Sequence, residues 1–373
     1  MLFRSIWSDW SVSKLLAHTP LVWLTINTTL IVLLTRLIGL SLPLRIAVLI
    51  GFVFNPLTQW VHGFGVIDHH QAEQALMLGA TCAWIAWLRQ PERGLIGFFA
   101  GFVPGIASAF HASLFLLFGA IGLSVFILWC RNLAPSVEST KFVLLGALAG
   151  ITIAILPAET VWEGQVTHYL LSWFHFFVVA SFSLFIFLAS KISFSWRVLL
   201  ILLPLIAAMG FFSAPILIEG TSYIAGTGEL ISQVSESKSG LYEWLSGNIS
   251  SWFIATQFTG WVWLAPASLA VTLLALPIVK DKTLIGFLSF SFLGLVLLHG
   301  QYRFAVFGTA FMVITPLICY SIALRSMNPR LAWTAPLLAM AMVLPSIGVL
   351  LSEPPLSLDG NYALLHSAYR SAE

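Results

Sequence analysis

Apolar runs of about 18 to 22 residues recur through this chain from Pro20 to Leu351, each long enough to cross the hydrocarbon core of a bilayer. Backbone in lipid finds no water to bond, so continuous runs of this kind must close their hydrogen bonds within themselves, as α-helices do. Only 9% of the 373 residues are charged, against about 25% in soluble domains, and the mean hydropathy is +0.94. The chain is therefore expected to be an all-α polytopic membrane protein of about twelve transmembrane helices. The runs lie near 20–38, 43–61, 73–89, 94–110, 112–130, 142–157, 168–190, 197–218, 252–279, 283–299, 304–324 and 331–351. Pro56, Pro104 and Pro316 fall inside them, which membrane helices tolerate when neighbours satisfy the freed carbonyl. The expected organisation is an external tail over 1–19, a membrane domain over 20–351 with a long external loop at 219–251, and a short external tail over 352–373.

Charge assigns the faces. With alternate crossings, one set of connections gathers most of the 17 basic residues, among them Arg36, Arg45, Arg89, Arg93, Lys280 and Arg325. The other keeps Arg4, Lys14, Lys238, Arg303 and Arg370 together with all the acids except Glu92, Glu138 and Asp281. Basic connections stay cytoplasmic, so the acidic face, and both termini with it, is expected outside. There is no basic tract for nucleic acid, and Cys82, Cys130 and Cys319 read as small buried hydrophobes. No cleavable leader is visible, since Met1 to Thr19 carries Arg4, Asp9, Lys14 and His18 without an apolar core.

Three stretches on that outer face stand out. In "GVIDHHQAEQ", Gly65 to Gln74, two acids and two histidines open the third run. One reading is helix capping, with Asp68 as N-cap and Gln71 three residues on. The other is a divalent-cation site: Asp68 and His70 reach one ion from a turn, and Glu73 follows one helical turn after His70. Oxygen donors with one imidazole suit Mn²⁺ or Mg²⁺. The loop "GTGELISQVSESKSGLYEW" is longer than ordinary connections, and its Leu230, Ile231, Tyr242 and Trp244 give it something to dock on. In "GQYRFAVFGTAF", Arg303 either snorkels to head groups or clamps a phosphate with its planar fork. Glu159, Glu163 and His168 form another acidic outer stretch. His175 reads as a neutral histidine bonded to a neighbouring helix, and His111 and His299 as interfacial residues at span ends.

Taken in order, "GVIDHHQAE", "QVSES" and "QYRFAVF" resemble the catalytic subunit of oligosaccharyltransferase. Archaeal members of that family show a DHHxxE-like external loop, an SVSE or TIxE motif in a later loop, and a span opening on RFAYY-like residues. The match covers about residues 31–324. The resemblance implies a GT-C-like helical bundle that moves a glycan from a polyprenyl phosphate or pyrophosphate to an acceptor, asparagine in a polypeptide first among them. It implies that Asp68, His70 and Glu73 hold Mn²⁺ or Mg²⁺, with Asp68 catalytic. Glu236 and Ser235 would hold the acceptor and its loop, Glu236 with a catalytic role, while His69 and Arg303 bind substrate, Arg303 at the phosphate leaving group. It implies a multi-pass protein of a prokaryotic inner membrane with its site outside.

Two departures bear on this. The family's first external loop donates an aspartate to the metal, and here two spans, not three, precede the DHH stretch. Asp9 is the acid available from that region, and its surroundings, "WSDWSVSK", do not match the family's pattern. The WWDYG motif of the family's external domain does not occur either. These features keep open a lipid or glycan acceptor, a fragment, and an inactive relative. A transporter would instead place ionisable residues at mid-membrane in repeated halves. Nearly every charge here lies at a span end.

Overall fold

The structure, a computed structural model, describes residues 12–63, 66, 69–200, 244–247, 250–251, 256, 258–275, 280–301, 304–325 and 329–352. Among these residues the regular secondary structure is all helical. Helices α1 (Val12–Leu37), α2 (Leu42–Val53), α3 (Pro56–Val61), α4 (His70–Arg89) and α5 (Gly94–Ala107) come first. After a 3₁₀ turn over Ala112–Leu116 follow α6 (Leu117–Cys130), α7 (Val137–Ile155), the single turn α8 (Glu159–Trp162) and α9 (Trp173–Lys191). The later part holds α10 (Trp261–Ala275), α11 (Lys282–Gly300), α12 (Ala305–Arg325) and α13 (Ala335–Ser352).

Seven helices among the described residues are long and apolar enough to cross a membrane, and α2, α5 and α10 are shorter apolar helices. Leu145, Val271, Leu274 and Leu337 are each at least 60% exposed, as lipid-facing side chains are in a bundle whose polar backbone is closed internally. The run expected at 43–61 is not one helix. Asn55 adopts an extended conformation and its side chain accepts from the Leu57 amide at 3.0 Å, so Pro56 opens a new short helix instead of lying within the old one. Pro104 and Pro316 do lie inside helices, α5 and α12.

Helix α4 lies at the centre. It packs against α1, α5, α11 and α12, and Trp84, Ile85 and Trp87 on it are fully buried. Its first turns are different: Gln71, Glu73 and Gln74 are buried as well. A helix walled in on every side can carry polar side chains at depth only where partners meet them, and those partners define the site.

Candidate metal centre

The chain before α4 is held by a buried polar network. Asn27, fully buried on α1, donates through its side-chain nitrogen to the Gln71 carbonyl at 3.2 Å and meets His62 Nε2 at 2.9 Å. His62 Nδ1 lies 2.9 Å from the Thr58 carbonyl. A carbonyl can only accept, so the His62 proton sits on Nδ1 and Nε2 accepts from Asn27. The Gln71 side chain donates to the carbonyls of Val61 (2.8 Å) and Val66 (2.9 Å). Gln71 therefore folds the preceding loop back onto α3, and His69, at the N-cap position, makes no side-chain cap bond; the capping role read for Asp68 falls outside the described residues.

With the loop fixed, the head of α4 collects imidazoles around one carboxylate. Glu73 has 4% of its side chain exposed. Its Oε2 lies 3.2 Å from His70 Nδ1, and its Oε1 lies 3.6 Å from His69 Nε2 and 3.3 Å from His111 Nδ1. The His69 and His70 rings meet edge to face at 4.3 Å, and His69 stacks on His111 at 5.4 Å. A carboxylate in the first turn is favoured by the positive end of the helix. Burying its charge still costs several kcal/mol of desolvation, on the order of the gain from close partners.

One ligand atom from each of His69, His70 and Glu73 lies within 4.8 Å of the others. Donors about 2.0–2.2 Å from one ion need to draw together only slightly from there, so the residues present fit a divalent cation. Of the sequence-derived metal ligands, the structure brings His70 and Glu73 together and adds His69, which the sequence reading assigned to substrate. Asp68, Glu236, Ser235, Arg303 and Asp9 lie outside the described residues. The start of the helix that follows Arg303 is nonetheless close, since the Gln74 side chain donates to the Val306 carbonyl at 3.2 Å and ties α12 to α4.

Two residues escaped the sequence reading. Asn27 is an amide inside an apolar run, a signal in itself because lipid-embedded polar groups need a reason. His111, assigned to the interface, points back to Glu73; the one hint was that alternate crossings put 110–112 on the face of the DHH stretch. His175 forms a capping box with Ser172 on its own helix, accepting from the Ser172 amide at 3.3 Å, and also meets the Ala112 backbone of the neighbouring 3₁₀ turn.

No protein-family profile and no curated protein matches the sequence. Solved structures do. The fold is similar to the archaeal oligosaccharyltransferase AglB from Archaeoglobus fulgidus in complex with an inhibitory peptide and a dolichol-phosphate, with a TM-score of 0.74 at 15% identity over 92% of this chain and 45% of that one. The apo form of the Archaeoglobus fulgidus oligosaccharyltransferase gives 0.74 at 14% identity over 92% of this chain and 46% of that one. Its complex with Zn and sulfate gives 0.62 at 15% identity over 92% and 42%. This chain thus spans less than half the length of the proteins it matches, and at such identity the likeness is one of fold.

Proposed function

We propose that this protein is a GT-C-type membrane glycosyltransferase, moving a sugar or oligosaccharide from a polyprenyl phosphate or pyrophosphate to an acceptor, with polypeptide asparagine as the leading acceptor. The observation that carries the reading is the cluster of His69, His70 and Glu73 at the head of the central helix, in a fold like that of AglB. AglB has been seen with dolichol-phosphate and, in another structure, tethered to an acceptor peptide containing the NVT sequon, and a lipid-linked donor and a polypeptide acceptor are proposed here by extension. The site would face outward from a prokaryotic inner membrane.

The chemistry follows from where charge develops. As the bond between sugar and phosphate breaks, positive charge grows on the sugar ring and negative charge on the departing oxygens, and fixed groups aimed at that charge lower the barrier. Asp68, His70 and Glu73 would hold Mn²⁺ or Mg²⁺, which when bound supplies Lewis-acid stabilisation to those oxygens. His69, the most exposed member at 55% of its side chain, would present its ring edge to a phosphate oxygen. Arg303 would grip the phosphate bidentately, a role supported by the Gln74 bond that brings the head of α12 to the cluster. Glu236 and Ser235 would orient the acceptor, and a loop closing over it would exclude water that otherwise hydrolyses the donor. Asp9 is proposed as the acid contributed from the chain's beginning.

The test is reconstitution of the full chain in proteoliposomes with a polyprenyl-pyrophosphate-linked glycan, an asparagine-sequon peptide and Mn²⁺. Glycopeptide formation by mass spectrometry is expected, with Asp68→Ala and Glu236→Ala each reducing it by about 10²-fold or more. Undiminished turnover in the double variant would overturn both roles.

A further inference from the structure

We propose that His111 is a positioning residue of this centre, the side chain that aims the Glu73 carboxylate at the cation. The proposal rests on reading the cluster as a metal site. His69 and His70 reach Glu73 by helical spacing alone. His111 does not: it lies at the corner between α5 and the 3₁₀ turn, in extended conformation at φ −154°, ψ 131°, and meets Glu73 because α5 folds back along α4.

Its ring nitrogen Nδ1 faces two oxygens, Ser113 Oγ at 2.6 Å and Glu73 Oε1 at 3.3 Å. A bare Nδ1 would set its lone pair against a buried carboxylate. The proton therefore belongs on Nδ1, with the Ser113 hydroxyl accepting it and the Glu73 oxygen beside it in polar contact without a hydrogen bond. Glu73 Oε1, a buried oxygen that makes no hydrogen bond, is then faced at 3.3 Å by an N–H edge from a different hairpin, while its other oxygen lies 3.2 Å from His70. The near-parallel stacking on His69, 19° between ring planes, fixes the His111 ring and with it the direction of the N–H. An oxygen faced this way and left without a hydrogen bond keeps its lone pairs for the cation. Such outer partners of ligands typically account for 10- to 100-fold in metal affinity.

The experiment uses the full-length protein in detergent, stripped with chelator, and Mn²⁺ titrated by the electron-spin-resonance signal of the free ion. His111→Ala is expected to weaken Mn²⁺ binding by about 10- to 100-fold. His111→Asn, whose amide nitrogen can take the place of Nδ1, is expected to return it to within a few-fold of the parent. Parental affinity in His111→Ala would overturn the proposal, as would an Asn variant as weak as the alanine one. If the parent protein itself binds no Mn²⁺, the cation site fails and the role of His111 falls with it, an outcome distinct from the first two.

Discussion

Asn27 gives both of its amide hydrogens to the segment that leads into α4, one to His62 Nε2 and one to the Gln71 carbonyl. Both acceptors are buried, so an apolar residue in its place leaves them desolvated without a donor. Asn27→Leu is expected to destabilise the protein by about 1–3 kcal/mol, read as a lower midpoint in thermal unfolding in detergent, and to weaken Mn²⁺ binding because the loop before His69 loses its anchor. His62, beyond the end of α3 and outside the spanning helices, adds a pH dependence. Burial holds its pKa below the ordinary 6.5, partly offset by the Thr58 carbonyl. The unfolded chain then takes up a proton at a pH where the folded one does not, so this contribution is present above about pH 6.5 and is lost as pH falls toward the lowered value. The unfolding midpoint is expected to drop between pH 7 and 5, and to drop less in His62→Asn. Sequence spacing was enough to pair His70 with Glu73, because one helical turn separates them whatever the rest of the chain does. It was silent on His111, whose place depends on how two helices pack, and on the two carbonyls to which the Gln71 side chain donates, which depend on a loop conformation.

Helices α5 and α7 approach until their backbones touch. A Cβ on Gly101 would run into the Val143 carbonyl and one on Gly146 into the Phe98 carbonyl, while on Gly105 it would sit 2.7 Å from the Ala147 oxygen and on Gly150 2.6 Å from the Phe102 oxygen. Glycines four apart on both helices form the small-residue seam through which membrane helices make van der Waals contact. Since the obstructing atoms are backbone, no side chain can yield. Gly146→Ala is expected to cost about 1–3 kcal/mol, as overpacking does, whereas alanine at Gly119, where a Cβ meets nothing within 4 Å, is expected to be neutral or to stabilise by up to about 1 kcal/mol. Thermal unfolding of the two variants side by side checks this. The helix over 94–107 was readable from its apolar run, but the seam was not, since glycine spacing names a surface without naming its partner. The same limit explains the broken run at Asn55: apolar content from 43 to 61 is continuous, and only the side-chain bond to Leu57 shows where the helix stops.

Among the described residues the ionisable groups divide by end of the bundle. The Arg89 guanidinium, closing α4, donates to the Leu37 carbonyl at the end of α1 at 2.6 Å, so Arg36, Arg89 and the Glu92–Arg93 turn share one end. One helix length away, the α4 head meets His111, and Phe115 of the 3₁₀ turn meets Phe174 at the start of α9 at 5.4 Å, which puts the cluster and the 156–172 connection at the other. Positive residues at one end and an imidazole–carboxylate cluster at the other make orientation a statement about the site: if basic connections stay in the cytoplasm, the cluster is external. Glu92 and Glu163 are exposed on connections at opposite ends, separated by α5, α6 and α7. In a background with Cys82, Cys130 and Cys319 replaced by alanine, Glu163→Cys in intact cells is expected to react with a membrane-impermeant maleimide. Glu92→Cys should react only after the membrane is opened. The opposite pattern would place the centre in the cytosol, where a donor exposed on the outer leaflet could not reach it, and would remove the proposed transferase along with the orientation.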